Sequence, residues 1–351
     1  MYYLLRLAAS VIPRLPRRLV YWLGDVVALI AWLVARKARR QASENMLYVL
    51  GGQDEQTRRF LQTRAGRKRL RRVVRGMFRQ NVSNYLNLFL LPSIKPETIL
   101  QSMEVQGFEH LRQALAAGKG VIFFSAHFGP FDYLSQWLAV QGFEVTIPVE
   151  QLADARTLEL ILRLRRSKGI QYVPLGGSAA LRGMLQALRN NQVVLITADR
   201  AVQGESEFVP FFGAPARLPL GVAQLAQRTG AAVLGGFGWR NGRKQNPILS
   251  GEIVPVSQAL PPEQRKQIEP LQHGIVSCME RFIGAHPDQW VVFAPVWVAP
   301  QAREMQINAQ TLEKDWHDHK ETQEHHYGSG EPEPGNGDVG ETQADDPAAG
   351  A

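Results

Sequence analysis

The sequence predicts an α/β fold: a mostly parallel central sheet flanked by helices, preceded by an N-terminal membrane-associated helical region. Three observations predict it. From residue 108 onward, strand-length apolar runs alternate with helical patterns that stop at Gly118, Gly142, Gly169 and Gly230, the arrangement of strand-helix-strand units. The uncharged run 120–125 leads straight into His127, and a Gly-Pro pair then opens a helix, which reads as a buried strand, a tight turn and a helix start. Ahead of both lies Leu19–Ala35, apolar but for Asp25.

Taken in order, residues 19–35 are at the lower limit of length for a membrane span, with Asp25 inside and basic residues on both flanks. That favours a helix lying in the interface over a span. From Gln53 to Leu91 the pattern is helical, with Leu70, Val74, Met77 and Phe78 on one side and Arg64, Arg67, Lys68, Arg71, Arg75 and Arg79 on the other. The basic side is either a solvated face or a contact for anionic lipid or a donor's phosphates. Helices are expected at 108–117, 130–141, 154–168, 179–189, 219–229 and 263–285, and strands at 121–125, 143–149, 170–175, 193–198, 231–239, 247–254 and 290–298. Phe208–Gly213 reads as an apolar loop, either core or one wall of an acyl-chain groove. Ser178 is a candidate N-cap. The expected division is therefore an apolar segment at 1–40, the α/β domain at 41–300 and an acidic tail at 312–351.

The chain of 351 residues is 45% hydrophobic, enough for one large core. A single cysteine, Cys278, excludes an intrachain disulfide, and no Cys/His spacing suits zinc. Neither metal nor cofactor is expected. The net charge is +8, but residues 313–351 hold eleven acidic residues and two lysines, a net −9, which leaves +17 on residues 1–312. A body so basic suits anionic lipid headgroups, an acidic carrier protein or nucleic acid, and charge alone does not separate these. The tail has little to bury and reads as disordered, its four histidines without a role.

His127 and Asp132 make a His-x4-Asp spacing at the carboxyl end of a strand, where open α/β sheets place their sites. A carboxylate held on the same turn orients an imidazole and stabilises its protonated form, so the pair is a candidate general-base dyad, although a plain polar strand end would look the same. Asp199 and Arg200 directly follow the strand 193–198 and reach the same sheet edge if the two strands are parallel; a structural ion pair is the other reading. Arg163, Arg165 and Arg166 crowd the end of one helix, where the helix dipole alone would favour them.

The stretch His127-Phe-Gly-Pro-Phe-Asp132, followed by Thr197-Ala-Asp199-Arg200, Phe208–Ala216 and Gly221–Ala231, resembles successive blocks of the lysophospholipid acyltransferase superfamily. The likeness is to its bacterial glycolipid branch, which holds the lipid A late acyltransferases and the phosphatidylinositol mannoside acyltransferases. It runs from about residue 5 to residue 298, and Pro287–Trp290 with Phe293–Trp297 stands slightly closer to the mannoside enzymes. The resemblance implies a membrane-associated O-acyltransferase of the inner membrane, its site on the cytoplasmic side. His127 and Asp132 would be catalytic, and Gly129, Arg165, Asp199 and Arg200 substrate-binding. The donor would be acyl-CoA or acyl carrier protein and the acceptor a glycolipid or phospholipid. Two rival classes stand beside it. A lipase-like hydrolase lacks its Gly-x-Ser-x-Gly elbow here, and a basic nucleic-acid- or membrane-binding protein lacks any accompanying nucleic-acid motif.

Overall fold

The computed structural model describes residues 2–52, 54–151, 153–175, 178–201, 205–241 and 249–297. It opens with helices: α1 (Tyr2–Val11), α2 (Arg17–Val34), α3 (Arg36–Gly51), α4 (Glu55–Gln62), α5 (Arg64–Leu90) and α6 (Pro96–Ser102). Strands then alternate with helices: β1 (Met103–Gln106), α7 (Phe108–Ala116), β2 (Val121–Ser125), α8 (Phe131–Val140), β3 (Val145–Val149), α9 (Ala155–Arg165), β4 (Gln171–Pro174) and α10 (Ser178–Arg189). Beyond these come β5 (Val193–Thr197), β6 (Ser206–Phe211), β7 (Ala214–Pro219), α11 (Gly221–Thr229), β8 (Ala232–Arg240), β9 (Leu249–Pro255) and α12 (Ile268–Ala285). The acidic tail expected at 312–351 lies outside the described residues.

Seven strands form one sheet in the order β1-β9-β8-β2-β5-β3-β4. All neighbours are parallel except β8 and β9, so the sheet is mostly parallel, as the alternation predicts. Its middle strand, β2, is buried on both faces: Ile122 and Phe124 enter one core, while Val121 and Phe123 enter the other. That alternation is why the strand reads as a continuous apolar run with no polar side. The neighbouring β8 supplies room through glycines. A Cβ on Gly236 would collide with the Phe123 ring, and one on Gly235 would fall 2.8 Å from Cys278 Sγ. Burial raises the thiol of Cys278 to about 12, so it packs as a neutral group.

Several elements depart from the sequence reading. The helical pattern from Gln53 to Leu91 is two helices, broken at Thr63, whose hydroxyl caps the Gly66 N–H at 3.1 Å. Phe208–Gly213 is not a loop. It belongs to the hairpin β6–β7, turned by Phe212 and Gly213 with φ of 47° and 72°, and Phe211 is fully buried. The residues from Trp290 to Trp297 are no strand but an irregular segment touching the fold at two isolated bridges, Phe128 with Trp290 and Ala216 with Trp297. An apolar run records burial; it does not record whether the buried chain pairs with a sheet. The short β1 was not expected at all.

The basic side of α5 is exposed and its apolar side, with Val74, Met77 and Phe78, is buried. α2 lies along α5 through the small residues Val20, Gly24 and Ala28. Asp25, costly in an apolar segment, is paired 2.8 Å from Arg79 Nε. Among the described residues no single helix is long and apolar enough to cross a membrane; Arg17–Val34 and Arg36–Gly51 meet that condition only together, and they bend by 89°.

The packing of β8 against β2 generates a test. Gly236→Ala should cost about 1–3 kcal/mol by overpacking against Phe123. Gly221→Ala, where an added Cβ meets nothing within 4 Å, should stay within about 0.5 kcal/mol. Urea denaturation of both variants separates the two outcomes.

Candidate active site

Strand β2 ends at Ser125, and the chain turns through Ala126, His127, Phe128 and Gly129 into α8. The turn is tight enough to need a glycine: Gly129 has φ of 54°, and a Cβ there would collide with the carbonyl oxygen of Gly238. The turn is held from two directions. Asn84 of α5 donates to the Gly129 carbonyl at 2.9 Å, and Gln80 donates to Asn84 at 2.7 Å. On the other side the Gly129 N–H donates to the Gln289 carbonyl at 2.8 Å, and the Val291 N–H donates to the His127 carbonyl at 2.8 Å.

Because β5 is the parallel neighbour of β2, with Ser125 opposite Thr197, the second residue past the end of β5 reaches the imidazole. Asp199 Oδ1 lies 2.9 Å from His127 Nδ1, Asp199 Oδ2 accepts the His127 backbone N–H at 2.9 Å, and the same oxygen accepts the Trp290 indole N–H at 2.8 Å. Asp199 is fully buried. Burial pushes its carboxyl up, but the His127 charge and these hydrogen bonds outweigh burial and hold it below the usual carboxylate range. With Nδ1 facing the ionised Asp199 as donor, the neutral form of the His127 ring carries its lone pair on Nε2. The side chain keeps 31% of its surface, so the ring meets both the buried carboxylate and the outside.

Asp132 does something else. It stands in the first turn of α8, and Arg165 at the end of α9 grips it at two points, with Nε 2.7 Å from Oδ1 and Nη2 donating to Oδ2 at 3.0 Å. Burial works against the guanidinium, yet the Asp132 carboxylate outweighs it and raises the Arg165 pKa. Burial and then the charge of Asp132 push the Tyr172 phenol up beside this pair. The expectation that Asp132 orients His127 is therefore corrected: the Nδ1 contact belongs to Asp199. The physical reason is direction, since the turn aims residue 127 toward β5 while the helix aims residue 132 toward α9.

Of the three arginines at the end of α9, Arg165 is the one that pairs with Asp132. Arg163 is exposed, and Arg166 lies 3.6 Å from Glu159. Arg200 turns away from His127 and donates to Glu150 at 3.0 Å. Ser178 is the first residue of α10, and its hydroxyl accepts from Arg182 at 2.5 Å. Sequence reasoning missed Trp290, Gln289, Asn84 and Gln80 as parts of the site. A signal existed for two of them, because Gln80 and Asn84 are polar residues at buried positions of an amphipathic helix. Among the described residues no group of His, Cys, Asp and Glu is placed to hold a metal ion.

The depressed Asp199 carboxyl has a pH consequence. A carboxyl held below its ordinary value of 3.8 adds stability above that value and loses it as pH falls through the folded pKa. The melting temperature of the protein should fall as the pH drops below about 3.8, and in Asp199→Asn that acid limb should flatten. Thermal melts above and below that pH provide the check.

The sequence model described as bacterial lipid A biosynthesis acyltransferase matches residues 1–298. Two proteins called phosphatidylinositol mannoside acyltransferase, from Mycobacterium tuberculosis strains H37Rv and CDC 1551, are each 31% identical over 226 residues. Each alignment covers 60% of this chain and 66% of the relative, just under two thirds of its length. A protein of the same name from Mycolicibacterium smegmatis is 27% identical over 241 residues, 65% of this chain and 73% of that protein. With the match extending over nearly all of the described residues, the chain belongs to the bacterial lipid A biosynthesis acyltransferase family.

Proposed function

We propose that this chain is a membrane-associated O-acyltransferase that moves a fatty acyl group from a thioester donor to a hydroxyl of a glycolipid, with His127 as general base. One observation carries the reading: Nδ1 of His127 is engaged by a buried carboxylate, which leaves Nε2 to take a proton at the mouth of the site. Nε2 removes the acceptor hydroxyl proton as that oxygen attacks the thioester carbonyl. The tetrahedral intermediate then expels the thiolate, the imidazolium returns the proton to it, and the products are an ester and a free thiol. Asp199 favours the imidazolium during this exchange. Asp132 acts through Arg165, fixing the guanidinium to which this reading assigns an oxyanion or a phosphate. Family membership supports a glycolipid acceptor, and the names of the mycobacterial relatives support one of the inositol-mannoside type. Acyl-CoA and acyl carrier protein both suit the basic body as donors.

The membrane reading has its own support. Tyr3, Leu4 and Leu7 on α1 and Trp22, Ile30 and Leu33 on α2 are exposed large apolar residues on adjoining helices, more than a soluble surface ordinarily shows together. An apolar cavity of about 360 Å³ opens between α2 and α5, lined by residues that include Leu23, Gly24, Val27, Tyr85 and Phe89. It suits a hydrocarbon chain. With the site on the cytoplasmic side of the inner membrane, as the resemblance implies, this face would lie on the bilayer while the basic side of α5 meets anionic headgroups.

Two tests follow. His127→Ala should lower turnover with a mannosylated inositol lipid and acyl-CoA by at least the 10²–10⁴-fold attributed to a general base, about 3–5 kcal/mol of barrier. Asp199→Asn should cost nearly as much, and the double variant little more than either alone. A folded His127→Ala variant that keeps more than about a tenth of the rate would overturn the mechanism. In the second test, Trp22→Asp with Ile30→Asp should lower binding to anionic vesicles in a flotation assay while the melting temperature holds. Unchanged flotation would overturn the role given to α2.

A further inference from the structure

The segment 289–291 touches the catalytic turn with every residue. The Gln289 carbonyl accepts the Gly129 N–H, and its side-chain amide makes two hydrogen bonds with the backbone of Arg240, at 2.9 and 3.1 Å. The Val291 N–H holds the His127 carbonyl. Between them Trp290, fully buried, sends its indole N–H 2.8 Å to Asp199 Oδ2. The indole is seated against Phe211 and Trp297, with ring centres 6.1 Å from each. A buried tryptophan could satisfy its one donor on any backbone carbonyl, as Trp297 does on that of Phe211 at 3.0 Å. Trp290 instead meets the carboxylate that faces the imidazole.

Resting on the general-base reading above, we propose that Trp290 is a positioning residue for the His127–Asp199 pair. Its N–H fixes the rotation of the Asp199 carboxylate and draws part of the negative charge toward Oδ2, so that Oδ1 presents a set distance and a set charge to Nδ1. The segment that carries the indole also carries the backbone groups that hold His127, so base and carboxylate are set by one short piece of chain. Among the titratable groups on the surrounding elements, His286 lies 6.3 Å from the Phe128 ring and stacks on Trp239, and burial lowers its pKa. Asp132 is with Arg165, Arg200 with Glu150, and Asp288 packs against Gly76. Arg240 is tied to Gln289 through its backbone.

Trp290→Phe keeps an aromatic ring between Phe211 and Trp297 and removes only the donor. Turnover should fall about tenfold with KM for both substrates nearly unchanged, since a hydrogen bond to an ionised group is lost. The limb in which the rate rises with pH should move to higher pH, because an Oδ2 that has lost the indole donor leaves more of the negative charge on Oδ1 beside the imidazolium. In the Asp199→Asn background the same change should alter the rate by less than about twofold. A loss of the folded fraction lowers the rate without moving the limb, so a fixed limb in Trp290→Phe overturns the proposal, as does an undiminished turnover. Should Trp290→Phe not fold, the indole ¹⁵N–¹H resonance of Trp290 supplies the decision: it must shift in Asp199→Asn, and a resonance that stays in place overturns the proposal. An active His127→Ala variant, by contrast, removes the general-base reading itself.

Discussion

The arrangement depends on one buried charge. An ionised carboxylate taken from water loses several kcal/mol of solvation unless its surroundings return it, and Asp199 recovers that loss from three donors, two on His127 and one on Trp290. None of the three lies near it in sequence, so the condition for keeping Asp199 ionised is that β2, β5 and the segment after α12 come together correctly. Strand pairing meets the first part of that condition, because a parallel register with Ser125 opposite Thr197 carries residues 127 and 199 past the same edge. The bridge between Phe128 and Trp290 meets the second.

The same logic explains why one short block serves two partners. His127 precedes α8, in the irregular turn, and Asp132 is the second residue of the helix. Here the turn and the helix that follows send the two side chains in different directions, so the carboxylate closest in sequence is not the one that meets the ring. Asp132 spends its charge on Arg165, and that pair fastens the end of α9 beside the site. The block is thus a junction: one residue faces along the sheet edge and the other faces the helical layer.

Much of this was legible in the sequence. Strands β2 and β5, the helices ending at glycines, the mostly parallel sheet and the placement of Asp199 near His127 all follow from runs of apolar residues and the punctuation between them. What could not be read has common causes. The partner of His127 was assigned by sequence distance, whereas register decides it. The residues from Trp290 to Trp297 looked like a strand because their apolar side chains are buried, yet the backbone there packs on the fold without joining the sheet. The hairpin of Phe208–Gly213 was hidden because its turn uses Phe212 where glycine or asparagine would have announced it. Trp290 is the clearest case, since nothing in a sequence distinguishes a core indole from one whose nitrogen meets a carboxylate.

The hold of residues 289–291 on the catalytic turn also has a meaning in time. A ribosome delivers a chain from its N-terminus, and domains made this way begin to organise before synthesis is complete. His127 and Asp199 emerge together with the strands that align them, but the indole that completes the pair follows only after α12. Until then the carboxylate lacks its third donor and the turn has no backbone brace on its outer side. The growing chain can therefore build its sheet first, and the brace that joins the turn to the segment after α12 closes only when residues 289–291 arrive.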